Sequence, residues 1–212
     1  MNIFSQEEQN YLKVPPHFRS FENTPIITPY NPAGDVQVAS KAFEALQALN
    51  VDQVRTPLEK ATIAKKILAE VEKAQDSVSN KTVKMTFEQD KYNDTKKAFL
   101  VGTVDSQFAS SVVTAYQGTS SKGVAHTDPQ VMNSLNKMPL FMSGLTQEKL
   151  DTLNEQFIKQ HNPELTRRKE ELNATTRSLN YADAVLSKAK SVASKLTAPL
   201  KASAQVNDNG FL

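Results

Sequence analysis

The sequence predicts a mainly α-helical fold: an elongated bundle or hairpin of long helices that follows an extended N-terminal arm. Three observations support this prediction. Leucines recur every seven residues near the C-terminus, a second apolar repeat of the same period runs through the first half of the chain, and prolines crowd the N-terminus. A repeat of seven keeps one apolar stripe on the side of a helix that packs against another helix.

The N-terminal arm, residues 1–37, is defined by its prolines. Five of the ten prolines lie within residues 15–32, with three aromatic residues among them. Proline excludes regular helix and pushes the preceding residue towards extended geometry. A disordered leader is one interpretation, but disordered segments are usually poor in aromatic residues. We therefore favour an extended arm that docks on the chain's own body or on a neighbouring subunit through Phe18, Phe21 and Tyr30.

Residues 38–118 form a helical segment. The apolar residues from Val38 to about Asn50 have helical spacing. The stretch 56–59, Thr-Pro-Leu-Glu, then marks the start of a long helix from residue 57. Its threonine suits the N-cap, its proline suits the first helical position, and its glutamate completes a capping box.

The end of this long helix has two interpretations. Val83, Met85 and Phe87 alternate with polar residues, which is typical of a strand and leaves a small β-hairpin around 82–104 as an alternative. We favour one helix to near Phe99, because no glycine or proline interrupts it and its apolar residues stay in step at seven. Those residues are Ala64, Val71, Val78, Met85, Tyr92 and Phe99. A weaker helical pattern follows from Ser106 to Tyr116.

The remaining chain divides into a linker and a C-terminal helical hairpin. Residues 119–143 read as a linker, glycine- and serine-rich at its start, with a short helix opened by Asp128-Pro129. Residues 144–200 form the hairpin: Thr146 caps its first helix, and Asn162-Pro163 starts the second. The first helix buries Leu150, Leu153, Phe157 and Ile158.

The second helix carries the leucine stripe. The positions three residues after these leucines are small or polar, namely Arg168, Thr175, Ala182 and Ala189. A self-sufficient two-stranded zipper prefers large apolar residues at both positions. We therefore expect the helix to belong to a larger bundle and to bind a neighbouring protein through its stripe, and we expect residues 201–212 to form a flexible tail. The stripe consists of Leu165, Leu172, Leu179 and Leu186.

The sequence shows no constellation that specifies a reaction, so we expect no catalytic residues, cofactor or metal site and no enzyme activity. Cysteine is absent, which excludes disulfides, thiolate zinc sites and cysteine nucleophiles. Of the three histidines, His126 lies near Asp128, but a polar loop explains both. The stretch 118–123 lacks the Gly-Lys-Ser/Thr ending of a phosphate-binding loop. No apolar run approaches the ~20 residues that a membrane span needs.

Lysines dominate the end of the leucine helix. The net charge of +2 is too small to require nucleic acid as a partner. Local clusters still offer a contact with phosphates or with an acidic protein surface, and a solvated helix face is the simplest interpretation. DNA contact is thus an alternative and not the main expectation. The lysines concerned are Lys188, Lys190 and Lys195.

The proline-rich arm, the leucine stripe and the Ala/Ser/Lys-rich stretch 182–204 together resemble tailed-bacteriophage virion or assembly proteins of the internal, connector, tail or scaffold-like kinds. This resemblance lies in general character, without a motif specific to one family. It implies a non-catalytic structural subunit in a virion assembled in the host cytoplasm, with protein subunits as partners in a homo-oligomer or hetero-complex. The alternatives are a helical adaptor or regulator in a bacterial cytoplasm and an accessory protein that contacts nucleic acid through its basic helix.

Overall fold

A computed structural model describes residues 32–119 and 128–208, and these residues form seven helices and no strand. The fold is therefore mainly α, as the sequence predicts. The helices are α1 (Ala33–Val51), α2 (Pro57–Val101), α3 (Ser106–Thr119), α4 (Pro129–Lys137), α5 (Leu140–Ser143), α6 (Gln147–His161) and α7 (Pro163–Asp208).

Helix α2 decides between the two interpretations of residues 82–104. It runs unbroken from Pro57 to Val101, so the β-hairpin alternative is wrong. Its buried residues follow the helical period and not an alternation, since Met85, Glu88 and Tyr92 are all buried while Val83 is half exposed. Without glycine or proline, nothing interrupts the helical hydrogen bonds in this stretch.

Three predicted boundaries need correction. Helix α1 begins at Ala33, so residues 33–37 are helical and do not belong to the arm. Helix α3 extends to Thr119, so residues 117–119 are helical where a loop was predicted. Phe18, Phe21, Tyr30 and the loop residues 120–127 with His126 lie outside the described residues.

The third correction concerns Pro199. The sequence predicts that the last helix ends there and that a tail follows, but α7 continues to Asp208. Proline inside a helix removes one backbone hydrogen bond and costs about 3 kcal/mol. That cost is local, and the helix continues for nine residues beyond the proline.

The described chain divides into two compact units, and α2 and α7 contribute to both. The first unit contains residues 32–87 and 172–208, which supply α1, most of α2 and most of α7. Its core combines large aliphatic residues such as Leu46, Val71 and Leu179 with fully buried alanines. Because alanine adds little bulk, helix backbones approach each other closely where it is buried. These alanines are Ala39, Ala61, Ala64, Ala182, Ala189 and Ala193.

The first unit also ties α1 to α2 through a polar contact. Asp35, in the first turn of α1, forms an ion pair with Lys81 and accepts a hydrogen bond from the Ser77 hydroxyl at 3.3 Å. Asp35 is buried, so this contact fixes the register of the two helices. It also explains why the helix starts as early as Ala33.

The second unit contains residues 88–119 and 128–171. Phe99 of α2 stacks on Phe157 of α6, with ring centroids 5.4 Å apart. Asn136 of α4 and Asn154 of α6 exchange two amide hydrogen bonds of 2.7 and 2.8 Å. The buried carboxylate of Glu88 in α2 accepts a hydrogen bond from the Arg168 guanidinium of α7. These contacts link α2, α4, α6 and α7 within the unit.

Candidate interaction surfaces

Among the described residues, polar side chains that are buried serve the packing of helices and do not gather into a reaction centre. Asp35, Glu88 and Asn154 each contact another helix, as described above. No group of three or more potential metal ligands occurs in the described ranges. No described helix combines the length and the apolar character that a bilayer crossing requires.

The turn between α1 and α2 is held by its own polar residues. The Asp52 carboxylate accepts hydrogen bonds from the amides of Val54 at 2.8 Å and Arg55 at 3.4 Å, and it forms an ion pair with the Arg55 side chain. The predicted capping box is confirmed: the Glu59 amide donates to the Thr56 hydroxyl at 3.3 Å, and the Thr56 amide donates to the Glu59 carboxylate at 2.8 Å. These contacts fix the backbone from residue 52 to residue 59.

The same contacts favour the charged form of both carboxylates. The hydrogen bond from the Val54 amide, assisted by Arg55, lowers the pKa of Asp52. The amide and hydroxyl of Thr56 lower the pKa of Glu59. Both carboxylates accept these hydrogen bonds best when charged, so the turn keeps its conformation throughout the neutral range.

This rigid turn exposes large aliphatic side chains. Val54 is 94% exposed, Val51 73% and Leu58 56%. We call these three residues the turn surface. A single exposed apolar residue is ordinary, but three within eight residues of chain make this turn a candidate interaction site. Since the backbone is already fixed, a partner would not have to order it on binding.

Two shallow grooves flank the turn surface. The first lies between α1 and α7, and Ala48, Val51 and Val192 give it an apolar character. The second lies along the start of α2 and includes Leu58 and Ile63. Charged residues border both, which is typical of a protein contact site with an apolar centre and a polar rim. These bordering residues are Glu44, Arg55 and Glu59.

The leucine stripe requires a correction of role. Leu165, Leu172, Leu179 and Leu186 are all buried by their own chain. The seven-residue period indicates that one side of the helix is covered, but it does not identify the element that covers it. From the sequence we therefore expect a neighbouring protein to cover this side. In the structure the leucines hold the chain's own helices together. These leucines therefore offer no exposed surface to a partner.

The predicted basic residues remain on the surface. Lys188, Lys190 and Lys195 are all exposed on α7. They do not share one face, however. Successive residues of a helix are rotated by about 100°, so Lys188 and Lys195 lie within about 20° of each other, whereas Lys190 lies about 200° from Lys188. Arg177 and Tyr181, which the sequence analysis did not single out, share the face of Lys188 and Lys195.

The described part of the second unit exposes two further large apolar residues: Phe141, in the single-turn helix α5, at 80%, and Phe108, in α3, at 41%. The sequence marks the stretch around Phe141 as an apolar connector. His161, at the end of α6, packs against Phe157 with ring centroids 4.6 Å apart and the ring planes tilted by 39°, and it is exposed. It thus lies at the edge of an aromatic cluster with Phe157 and Phe99.

The turn surface is the site that sequence reasoning missed. Its signal was present, because Val51 and Val54 fall where the polar turn residues would predict a hydrophilic loop. Comparison with known proteins adds no further guide: no protein-family model, curated protein or solved structure matches this chain.

Proposed function

We propose that this chain is a non-catalytic structural subunit that binds other protein subunits in a larger assembly, and that the turn surface is one of its contact sites. The observation that carries the proposal is the exposure of Val51, Val54 and Leu58 on a backbone that internal hydrogen bonds already fix. A partner that covers exposed apolar area of this kind stabilises the complex by roughly 25 cal/mol per Å² of area buried.

The assembly that we propose is a tailed-phage virion. The first support is the resemblance in general character to tailed-phage virion proteins. The second is the length of helices α2 and α7, since long helices are an architecture that assembly subunits share. The genes beside the one that encodes this chain provide the test. We expect neighbours that encode other virion proteins, and neighbours that encode enzymes of cellular metabolism would contradict the virion proposal.

The experiment on the protein itself compares two single substitutions. Val54→Glu places a charge in the turn surface, while Val83→Glu places the same charge on α2 of the same unit, at a valine that is 49% exposed. Neither side chain is buried, so both variants should fold, which circular dichroism checks. Sedimentation velocity from low to high micromolar concentration then measures self-association of the wild type and of both variants.

The proposal expects the wild type to form larger species as concentration rises, Val54→Glu to remain smaller, and Val83→Glu to behave as the wild type does. If the partner is a different protein, the wild type stays monomeric alone and co-purifies with virion subunits in a manner that Val54→Glu abolishes. A wild type that is monomeric in both settings, or equal loss in the two variants, would refute the role of the turn surface.

A further inference from the structure

The surface of α7 in the first unit carries a line of cationic side chains on one face. Arg177, Lys188 and Lys195 fall within about 20° of one another around the helix axis, and Tyr181 lies about 20° to the other side of Lys188. All four side chains are exposed, Tyr181 by 56%. At about 1.5 Å per residue the line extends over roughly 27 Å. We call these four residues the cationic stripe.

The stripe is not neutralised by its own helix. None of its three cations forms an ion pair within the described residues, although Arg177 donates a hydrogen bond to the Asn173 carbonyl at 3.3 Å. From Ala184 to Asn207 the helix contains no acidic residue. The acid that precedes this stretch, Asp183, lies seven residues before Lys190 and therefore on the face of that lysine.

The residues between the cations are small. Ala184 and Ser191 lie beside the stripe and are exposed, so they allow a partner's backbone to approach the helix closely. Lysine is depleted in protein–protein interfaces, whereas arginine and tyrosine are enriched there, so it is the two lysines that argue against a protein partner. Arginine, lysine, serine and tyrosine, by contrast, are the side chains that donate hydrogen bonds to nucleic-acid phosphates. The composition of this face therefore fits a phosphate backbone better than an acidic protein.

We propose that the cationic stripe binds the phosphate backbone of double-stranded nucleic acid without reading its sequence. Lys188 and Lys195 are separated by about 10.5 Å along the helix, close to the ≈ 12 Å width of the major groove. Their long side chains bridge the difference, so consecutive cations reach the two strands that border a groove. The stripe shares no residue with the turn surface, although Val51 and Val192 line one groove, and this inference does not depend on the proposed assembly function.

One acidic residue opposes the stripe. Glu44 of α1 lines the same groove as Val192, which lies between Lys188 and Lys195 along α7. A carboxylate at this position repels a phosphate that approaches the stripe. Glu44→Gln should therefore increase the affinity for the duplex severalfold, which is a gain that unfolding or misfolding would not produce.

The experiment measures binding to a short, mixed-sequence DNA duplex by fluorescence anisotropy at several salt concentrations. Three neutralised phosphates predict a slope of log affinity against log salt near −2.7, which is roughly a fortyfold loss between 50 and 200 mM salt. Lys188→Ala/Lys195→Ala should reduce the slope to about −0.9 and the affinity at 50 mM by at least about tenfold. Lys190→Ala is the matched control: it removes the same charge from the other face and should change the affinity little.

Three outcomes would overturn the proposal. The first is an absence of salt-dependent duplex binding by the wild type at 50 mM salt. The second is equal weakening by Lys188→Ala and Lys190→Ala, which would indicate attraction by net charge alone. The third is displacement of the labelled duplex by polyglutamate as effectively, per charge, as by unlabelled duplex. That result would indicate an acidic protein partner. Val54→Glu should bind DNA as the wild type does, so failure of the assembly proposal would be recognised separately.

Discussion

The paired amides of Asn136 and Asn154 should contribute measurably to the stability of the second unit. Each side chain donates to the other, at 2.7 and 2.8 Å, and Asn154 is 5% exposed. Replacing either residue by leucine removes both hydrogen bonds, worth about 1 kcal/mol each, and leaves the other amide facing methyl groups. We expect each single variant to lose about 2–3 kcal/mol, or roughly 6–10 °C in Tm for a chain of this size.

The double variant Asn136→Leu/Asn154→Leu should lose no more than either single variant, because two apolar side chains then face each other and no amide is left without a partner. The double-mutant cycle should therefore give a coupling energy of about 2–3 kcal/mol. Urea unfolding supplies the free energies, and hydrogen exchange of the α4 and α6 amides restricts the readout to this unit. Single variants that each lose less than about 0.5 kcal/mol, with additive effects in the double variant, would refute the reasoning.

Three further predictions follow from individual residues. Hydrogen bonding to Lys169 lowers the pKa of Glu155, so this ion pair stabilises the fold above about pH 4.5 and is lost as the pH falls below that value. Wild type should therefore be more stable than Glu155→Gln above about pH 4.5, by less than about 1 kcal/mol because the pair is exposed. Urea unfolding at several pH values should show this difference vanish below about pH 4.5. Gly102 has φ +57°, and a Cβ there would lie 2.2 Å from the Asn133 side chain. Gly102→Ala should therefore lower the free energy of unfolding by about 2–4 kcal/mol. Gly34→Ala is the control and should not lower it, because a Cβ at residue 34 would have open space around it. Pro199→Ala restores a helical amide and should raise both helix content in circular dichroism and stability, by up to about 3 kcal/mol.

Local signals in the sequence predicted helix starts well. Each predicted N-cap side chain accepts a hydrogen bond from a backbone amide two or three residues later, as its position before a helical pattern indicates. These residues are Thr56, Asp128, Thr146 and Asn162. Such contacts span only a few residues and depend little on the rest of the fold. The same locality explains the error at Pro199, where the tertiary context overrides an unfavourable local residue.

Long-range partners could not be predicted in this way. The period of Leu172 and Leu179 predicts a covered face but does not identify the covering element, which proved to be the chain itself. The pairing of Asn136 with Asn154 joins residues on different helices, and neither asparagine has a distinctive sequence context. The face shared by Arg177 and Lys188 could be found from helical rotation alone once the helix was established.

The division of the chain gives the order of synthesis a physical meaning. The first unit is assembled from two stretches separated by residues 88–171, while the second unit draws on that intervening stretch alone. On a ribosome, the second unit can acquire its neighbours while the buried residues Leu179, Leu186 and Ala193 of the first unit are still unmade, which leaves the core of the first unit incomplete. Until the last helix emerges, a nascent chain would therefore display an apolar strip that chaperones, or premature contact with another copy, can capture.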